Sequence, residues 1–155
     1  MFATSAVRAG LLALLVSVAL SHGIADAQLV DNPQNLLKAW TDAYATRSGE
    51  PMARVYARDA HLWSLNGKEP VIGIDAIKQF YDRTGQNVTE RSASIQKWQI
   101  LPRKRVTMVT GTMELKSRLK DGTLRNNPAR FTMSIIRESR RQWAILSHHM
   151  SMVPN

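Results

Sequence analysis

Two runs near the end of the chain, Pro128 to Arg137 and Trp143 to Pro154, alternate apolar and polar residues, and a charged link from Glu138 to Gln142 joins them. Alternation with period two marks a strand with one buried face, so the pair predicts an antiparallel hairpin. Phe131, Met133 and Ile135 share one face of the first strand, and Arg130, Thr132 and Ser134 share the other. On the second strand Trp143, Ile145, Ser147, His149 and Ser151 alternate with Ala144, Leu146, His148, Met150 and Met152. A guanidinium, two imidazoles and several hydroxyls interrupt an otherwise apolar hairpin. That mixture marks it as a candidate site.

Upstream the period changes. Leu36, Leu37, Trp40, Ala43 and Tyr44 fall at three- and four-residue spacing behind the capping pair Asn32-Pro33, which predicts a helix to about Arg47. Ser48-Gly49-Glu50-Pro51 breaks it. A short helix is expected over Pro51–Ala57, then a strand over Asp59–Leu65 and a turn at Asn66-Gly67. A third helix is expected over Gly73–Tyr81, with Gly85 placed to end it in a left-handed conformation. From Ser92 onward the period is two. Strands are predicted near Ser94–Leu101, Arg105–Arg118, Ala129–Glu138 and Gln142–Met152, with Asp121-Gly122 turning one hairpin.

Helices first and then a meander of long strands argue an α+β domain. Three short helices cannot cover both faces of four long strands. A strongly curved, mostly antiparallel sheet wrapped around the helices would bury one face and leave a cavity between the layers. The other face must meet solvent or another subunit. Both faces of the Arg105–Arg118 strand are largely apolar, which favours a homodimer or a larger ring.

The late motif Ala129-Arg130-Phe131, then Trp143-Ala-Ile-Leu-Ser-His-His-Met-Ser-Met-Val-Pro154, resembles the C-terminal hairpin of the nuclear transport factor 2 (NTF2)-like superfamily. Within it the motif is similar to SnoaL-like proteins and to the association (hub) domain of calcium/calmodulin-dependent protein kinase. Gly73-Ile-Asp-Ala-Ile-Lys-Gln-Phe80 resembles a helix of the same superfamily, and the resemblance runs roughly from Leu36 to Pro154. It implies a cone-shaped half-barrel, with N-terminal helices packed in the curved sheet, that dimerises or forms rings through that sheet. It also implies a cavity arginine at Arg130. Glu114 stands near the place of another cavity arginine of the hub, so this pocket would be less cationic.

The 155 residues suit one domain, and 44% hydrophobic content is enough for a core. The chain has no cysteine, which excludes disulfides, thiolate nucleophiles and cysteine-ligated zinc. Arg8, the apolar run Ala9–Leu20 and Ala25-Asp26-Ala27 form a secretory leader, residues 1–27, with cleavage expected after Ala27. The domain then spans 28–155, and the protein is expected in the periplasm or secreted. Losing Arg8 and Asp26 together leaves the formal charge at +9. Its cations cluster at Arg103-Lys104-Arg105, Lys116–Lys120 and Arg137–Arg141, expected strand ends and turns. That reads as a solvated rim, open to contact with an anionic envelope surface, and not as a nucleic-acid site.

Motifs that would name a reaction are missing: no G-x-S-x-G, no phosphate loop, no dinucleotide fingerprint and no H-E-x-x-H. No cofactor is expected. No metal is expected either, because neighbours on a strand point to opposite faces and His148-His149 cannot share one ion. Acid–base work is open to His149, His148 or Asp59, which would suit an isomerase, dehydratase or cyclase that needs no cofactor. The favoured reading is a binding and assembly module. In it Arg130 and His149 point into one cavity and hold an anionic or carbonyl oxygen, with Ser151, Trp63 and Glu114 lining it. The plainer alternatives are Arg130 paired with Glu114 as scaffold, and a histidine that only holds the hairpin. If the strand slips by one residue, His148 takes the place of His149.

Overall fold

The computed structural model describes residues 32–139 and 142–154. The expected leader and its cleavage site lie outside them, as do two residues of the tip between the last two strands, Arg140 and Arg141. Helix α1 runs Pro33–Ala45. Asn32 caps it in an extended conformation, its side chain accepting from the Asn35 N–H at 2.8 Å, with Pro33 at the first helical position. Its apolar stripe of Leu36, Leu37, Trp40 and Ala43 is buried. Helix α2, Gly49–Ala53, starts earlier than expected because Ser48 caps it and Pro51 is tolerated within the first turn. Strand β1 is Tyr56–Trp63, β2 is the two-residue Val71–Ile72, and helix α3 is Ile74–Gln86.

Four long strands follow: β3 Val88–Leu101, β4 Val106–Leu119, β5 Leu124–Ser139 and β6 Gln142–Met152. Asp121-Gly122 turns β4 into β5. Gly122 takes φ +87 there, and the Asp121 carboxylate accepts from the Thr123 N–H at 2.9 Å. Gly85 departs from expectation. It lies inside α3, and among the described glycines only Gly73 and Gly122 have positive φ. Its lack of a side chain serves a close approach: a Cβ there would fall 1.8 Å from the Arg47 carbonyl oxygen.

The sheet order is β2-β1-β6-β5-β4-β3, antiparallel throughout except for the parallel β1–β6 pair. It is the expected curved α+β half-barrel, unclosed, with the helices against its inner face. Inner rows pair directly across strands: Ile95, Met113 and Ala129 in one, Ala93, Leu115 and Asn127 in the next. Phe131, Met133 and Ile135 of β5 and Val109, Met113 and Leu115 of β4 bury against Leu36, Trp40, Ile77 and Tyr81. One irregularity decides which histidine enters that core. Ile135 pairs with Ile145, but Ser134 pairs with Ser147, so Leu146 bulges out of register. Ile145, His148 and Met150 therefore all turn inward and are buried, while His149 is exposed.

Candidate functional site

Toward the β4–β5 turn the helices no longer fill the inner face, and a cavity of about 470 Å³ opens between the layers. Tyr44 of α1 and Phe80, Tyr81 and Thr84 of α3 form one wall, while Leu115 and Met150 continue the apolar sheet face on the other. The sheet wall turns polar one row further out. There Arg91, Ser117 and Arg125 are direct cross-strand partners on β3, β4 and β5. Among the described residues two arginines border the cavity, and no aspartate or glutamate does.

Arg91 is 7% exposed. Its Nε donates to the Tyr44 carbonyl oxygen near the end of α1, and Nη1 donates to Thr84 Oγ1 at 3.5 Å. The guanidinium carbon lies 4.5 Å from the Tyr44 ring centroid and 5.6 Å from that of Tyr81. Aromatic faces and a helix C-terminus both attract a cation, so the charge is partly compensated. Nη2 has no acceptor. Burial lowers the Arg91 pKa, while the nearby tyrosines oppose that shift. What Arg91 gives the cavity is therefore a weakly screened positive field rather than an open hydrogen-bonding fork.

A second hollow at the same end, about 490 Å³, shares Arg91, Ser117 and Arg125 but is bordered also by Glu90 and Arg118. Those two form an ion pair at 3.4 Å, so charge is compensated there. The cavity between the layers is the stronger candidate because, among the described residues, no carboxylate lines it.

Behind Tyr81 a chain of polar atoms leads into the core. Tyr81 Oη is 3.3 Å from Tyr56 Oη, which accepts from Trp40 Nε1 at 3.0 Å and lies 2.8 Å from His148 Nδ1. His148 is fully buried, with Trp40 edge-on at 5.2 Å and the Tyr56 ring stacked at 6.2 Å; its Nε2 has no partner. Burial, with a smaller contribution from the neighbouring His149, brings the His148 pKa down to about 3. Burial raises the pKa of both Tyr56 and Tyr81. Near neutral pH the chain is an uncharged hydrogen-bonded cluster.

The expected constellation is half right in register and wrong in direction. Arg130 pairs with Ser151, and Thr132 with His149, so Arg130 and His149 do share a face. That face is the outer one, and both residues are exposed. Phe131, Met133 and Ile135 need the side covered by helices, which sends the polar row to the outside. Trp63, paired with His149, is 38% exposed on the same side. Glu114 pairs with Lys116 at 3.1 Å and not with Arg130, whose cross-strand neighbour on β4 is Thr112. None of Arg130, His149, Ser151, Trp63 and Glu114 borders the cavity. Asp59 is exposed on β1, and His148 alone of the catalytic candidates lies inside the cone. Among the described residues no cluster of three histidines or carboxylates could hold a metal ion.

The family model of the SnoaL-like domain matches residues 34–155. A comparison with curated protein sequences finds no match. Solved structures share the fold. A protein from Xanthomonas campestris, described as a calcium/calmodulin dependent protein kinase II association domain, superposes with a TM-score of 0.70 at 21% identity, covering 79% of this chain and 86% of its own. One from Novosphingobium aromaticivorans, described as an aromatic ring hydroxylase, gives 0.72 at 18% identity over 79% and 87%. One from Streptomyces avermitilis, described as a dehydratase of the NTF2-like family, gives 0.68 at 15% over 77% and 93%.

Proposed function

The chain belongs to the SnoaL-like domain family of the NTF2-like superfamily, and from that premise we propose that it binds a small organic anion in the cavity of its cone. One observation carries this reading: among the described residues, two arginines and no carboxylate border a cavity of about 470 Å³ between the helices and the sheet. A buried guanidinium without a carboxylate partner is costly, and an anion nearby relieves that cost. A cofactor-free isomerase or dehydratase has less support. The interior imidazole, His148, does not border the cavity and stays neutral down to about pH 3, too low for a base working near neutrality.

A thermal-shift screen of small carboxylates tests the proposal. A ligand at a hundredfold excess over Kd should stabilise the fold by about 2.7 kcal/mol. Ser117→Glu places a carboxylate between the two guanidiniums without disturbing the core, and should abolish the shift; Arg91→Met should do the same. A shift that survives both variants puts the anion elsewhere.

Assembly and export complete the reading. Among the described residues no helix lies over the outer sheet face, which exposes Met108 and Trp63, so a homodimer or larger ring through that face is expected. Light scattering at micromolar concentration should detect no stable monomer, and a monodisperse monomer would reject the assembly. Contact of the basic strand ends with an anionic envelope surface is a weaker companion to it. Export follows from the leader pattern: intact mass of the protein from the cell envelope should correspond to a chain starting at Gln28. A mass that includes Met1 would rule out cleavage.

A further inference from the structure

Resting on the anion-binding reading, we propose that the cavity selects a dicarboxylate, its inner carboxylate in the field of Arg91 and its outer one on Arg125. The two arginines are not equivalent. Arg91 is fixed on the β3 side by the Tyr44 carbonyl, Thr84 and two tyrosine rings, and cannot swing across to its partner without breaking those contacts. Arg125 sits two strands away on β5, with its backbone about 10 Å from that of Arg91 at ordinary strand spacing. It is exposed, and among the described residues it forms no ion pair. Asp121 feels only a minor influence of Arg125 and accepts the Thr123 N–H instead of an ion pair with it. The cavity thus has two separate positive ends, one dry and one wet.

Between the ends the wall changes character. Ser117 stands directly between the arginines in its row, and the next row inward presents Leu115 beside Asn127, with Met150 beyond. A short apolar spacer lies well against Leu115 and Met150, while a single anionic group satisfies only one end. A fully polar dianion would leave that apolar stretch badly matched. The molecule that fits is two carboxylates joined by a few methylenes.

Salt separates the two contributions. The Arg91 end lies under the wall and is screened little, whereas the Arg125 end is screened as the Debye length falls from about 10 Å at 0.1 M to about 3 Å at 1 M. Titration calorimetry with adipate against hexanoate, and glutarate against valerate, reads the difference. In low salt each dicarboxylate should bind on the order of tenfold tighter than the monocarboxylate of equal length. That ratio should shrink toward one in about 1 M salt, and also in Arg125→Gln, an exposed substitution whose melting temperature checks that the fold is kept. Equal affinity of the two acids for the wild type would overturn the dicarboxylate inference and leave the anion cavity standing. A preference that persists in Arg125→Gln would also overturn it, by placing the second carboxylate elsewhere. Binding of none of the four acids would remove both.

Discussion

Between pH 6.5 and 4.5 the protein should lose about 2 kcal/mol of stability, and His148 should account for it. In the unfolded chain a histidine takes up its proton near pH 6.5; in the core His148 does so only at about 3. Across that window the unfolded state binds a proton that the folded state excludes, so acid pulls the equilibrium toward unfolding. The stability is complete above the unfolded pKa and is lost as pH falls toward the folded one, about 4 kcal/mol by pH 3. Carboxylates contribute in the same direction but lower down. Asp82, whose pKa is depressed chiefly by the Gly49 N–H and then by Lys78, loses its stabilisation only as pH falls below the ordinary carboxylate range. The upper half of the window therefore belongs to the imidazole.

Urea denaturation at pH 7, 5.5 and 4.5 measures the slope. His148→Gln keeps an acceptor for the Tyr56 hydroxyl without a titrating group, so it should flatten the profile above pH 4.5 while costing some stability at pH 7. A wild type that is equally stable at 7 and 4.5 would mean that His148 meets water in the folded state. The cost of keeping this group buried is unusual. Among the described residues Nε2 has no partner, and the imidazole is held by one hydrogen bond and by ring contacts.

His148 also shows how far the sequence could be read. Alternation along the last strand correctly separated His148 from His149 but could not say which faced inward, because both sets mix polar and apolar residues. The answer comes from the bulge at Leu146, which lets Ile145 and His148 turn to the same side. Nothing in the residues near Leu146 signals it. The cavity was more accessible than it looked. Extending the buried face of β5 backward from Ala129 gives Asn127 and Arg125; extending that of β4 forward from Leu115 gives Ser117; extending that of β3 backward from Ala93 gives Arg91. Each is a polar residue in phase with an apolar row. Starting β3 near Ser94 and β5 at Ala129 cut off the residues that border the cavity. The helices, the long strands and the α+β class were legible because apolar periodicity marks them, whereas the two-residue edge strand β2 was not expected. The site was missed because it lies where that periodicity fades.

Gly85→Ala should destabilise the protein by about 3 kcal/mol or more and lower its melting temperature by roughly 10 °C. Helix propensity alone predicts the opposite sign, since alanine in place of glycine within a helix favours it by about 1 kcal/mol. Packing reverses the balance. A Cβ at position 85 would stand 1.8 Å from the Arg47 carbonyl oxygen and 2.8 Å from its carbon. Backbone atoms cannot rotate away as a side chain can, so the turn between α1 and α2 would have to move. That turn has little slack. Arg47 already holds φ at 64, uncommon for a residue with a side chain, and its Nη1 donates to the Val88 carbonyl at 3.1 Å, tying the turn to the start of β3. Thr84, the neighbour of Gly85, accepts from Arg91, and Tyr44 supplies the carbonyl that Arg91 Nε binds. Moving the turn away from α3 would thus disturb the wall that holds Arg91 beside the cavity. A thermal melt decides the sign, and carboxylate binding by the surviving folded fraction should weaken as well. A Gly85→Ala protein as stable as wild type would mean that α3 does not lie directly against the Arg47 turn.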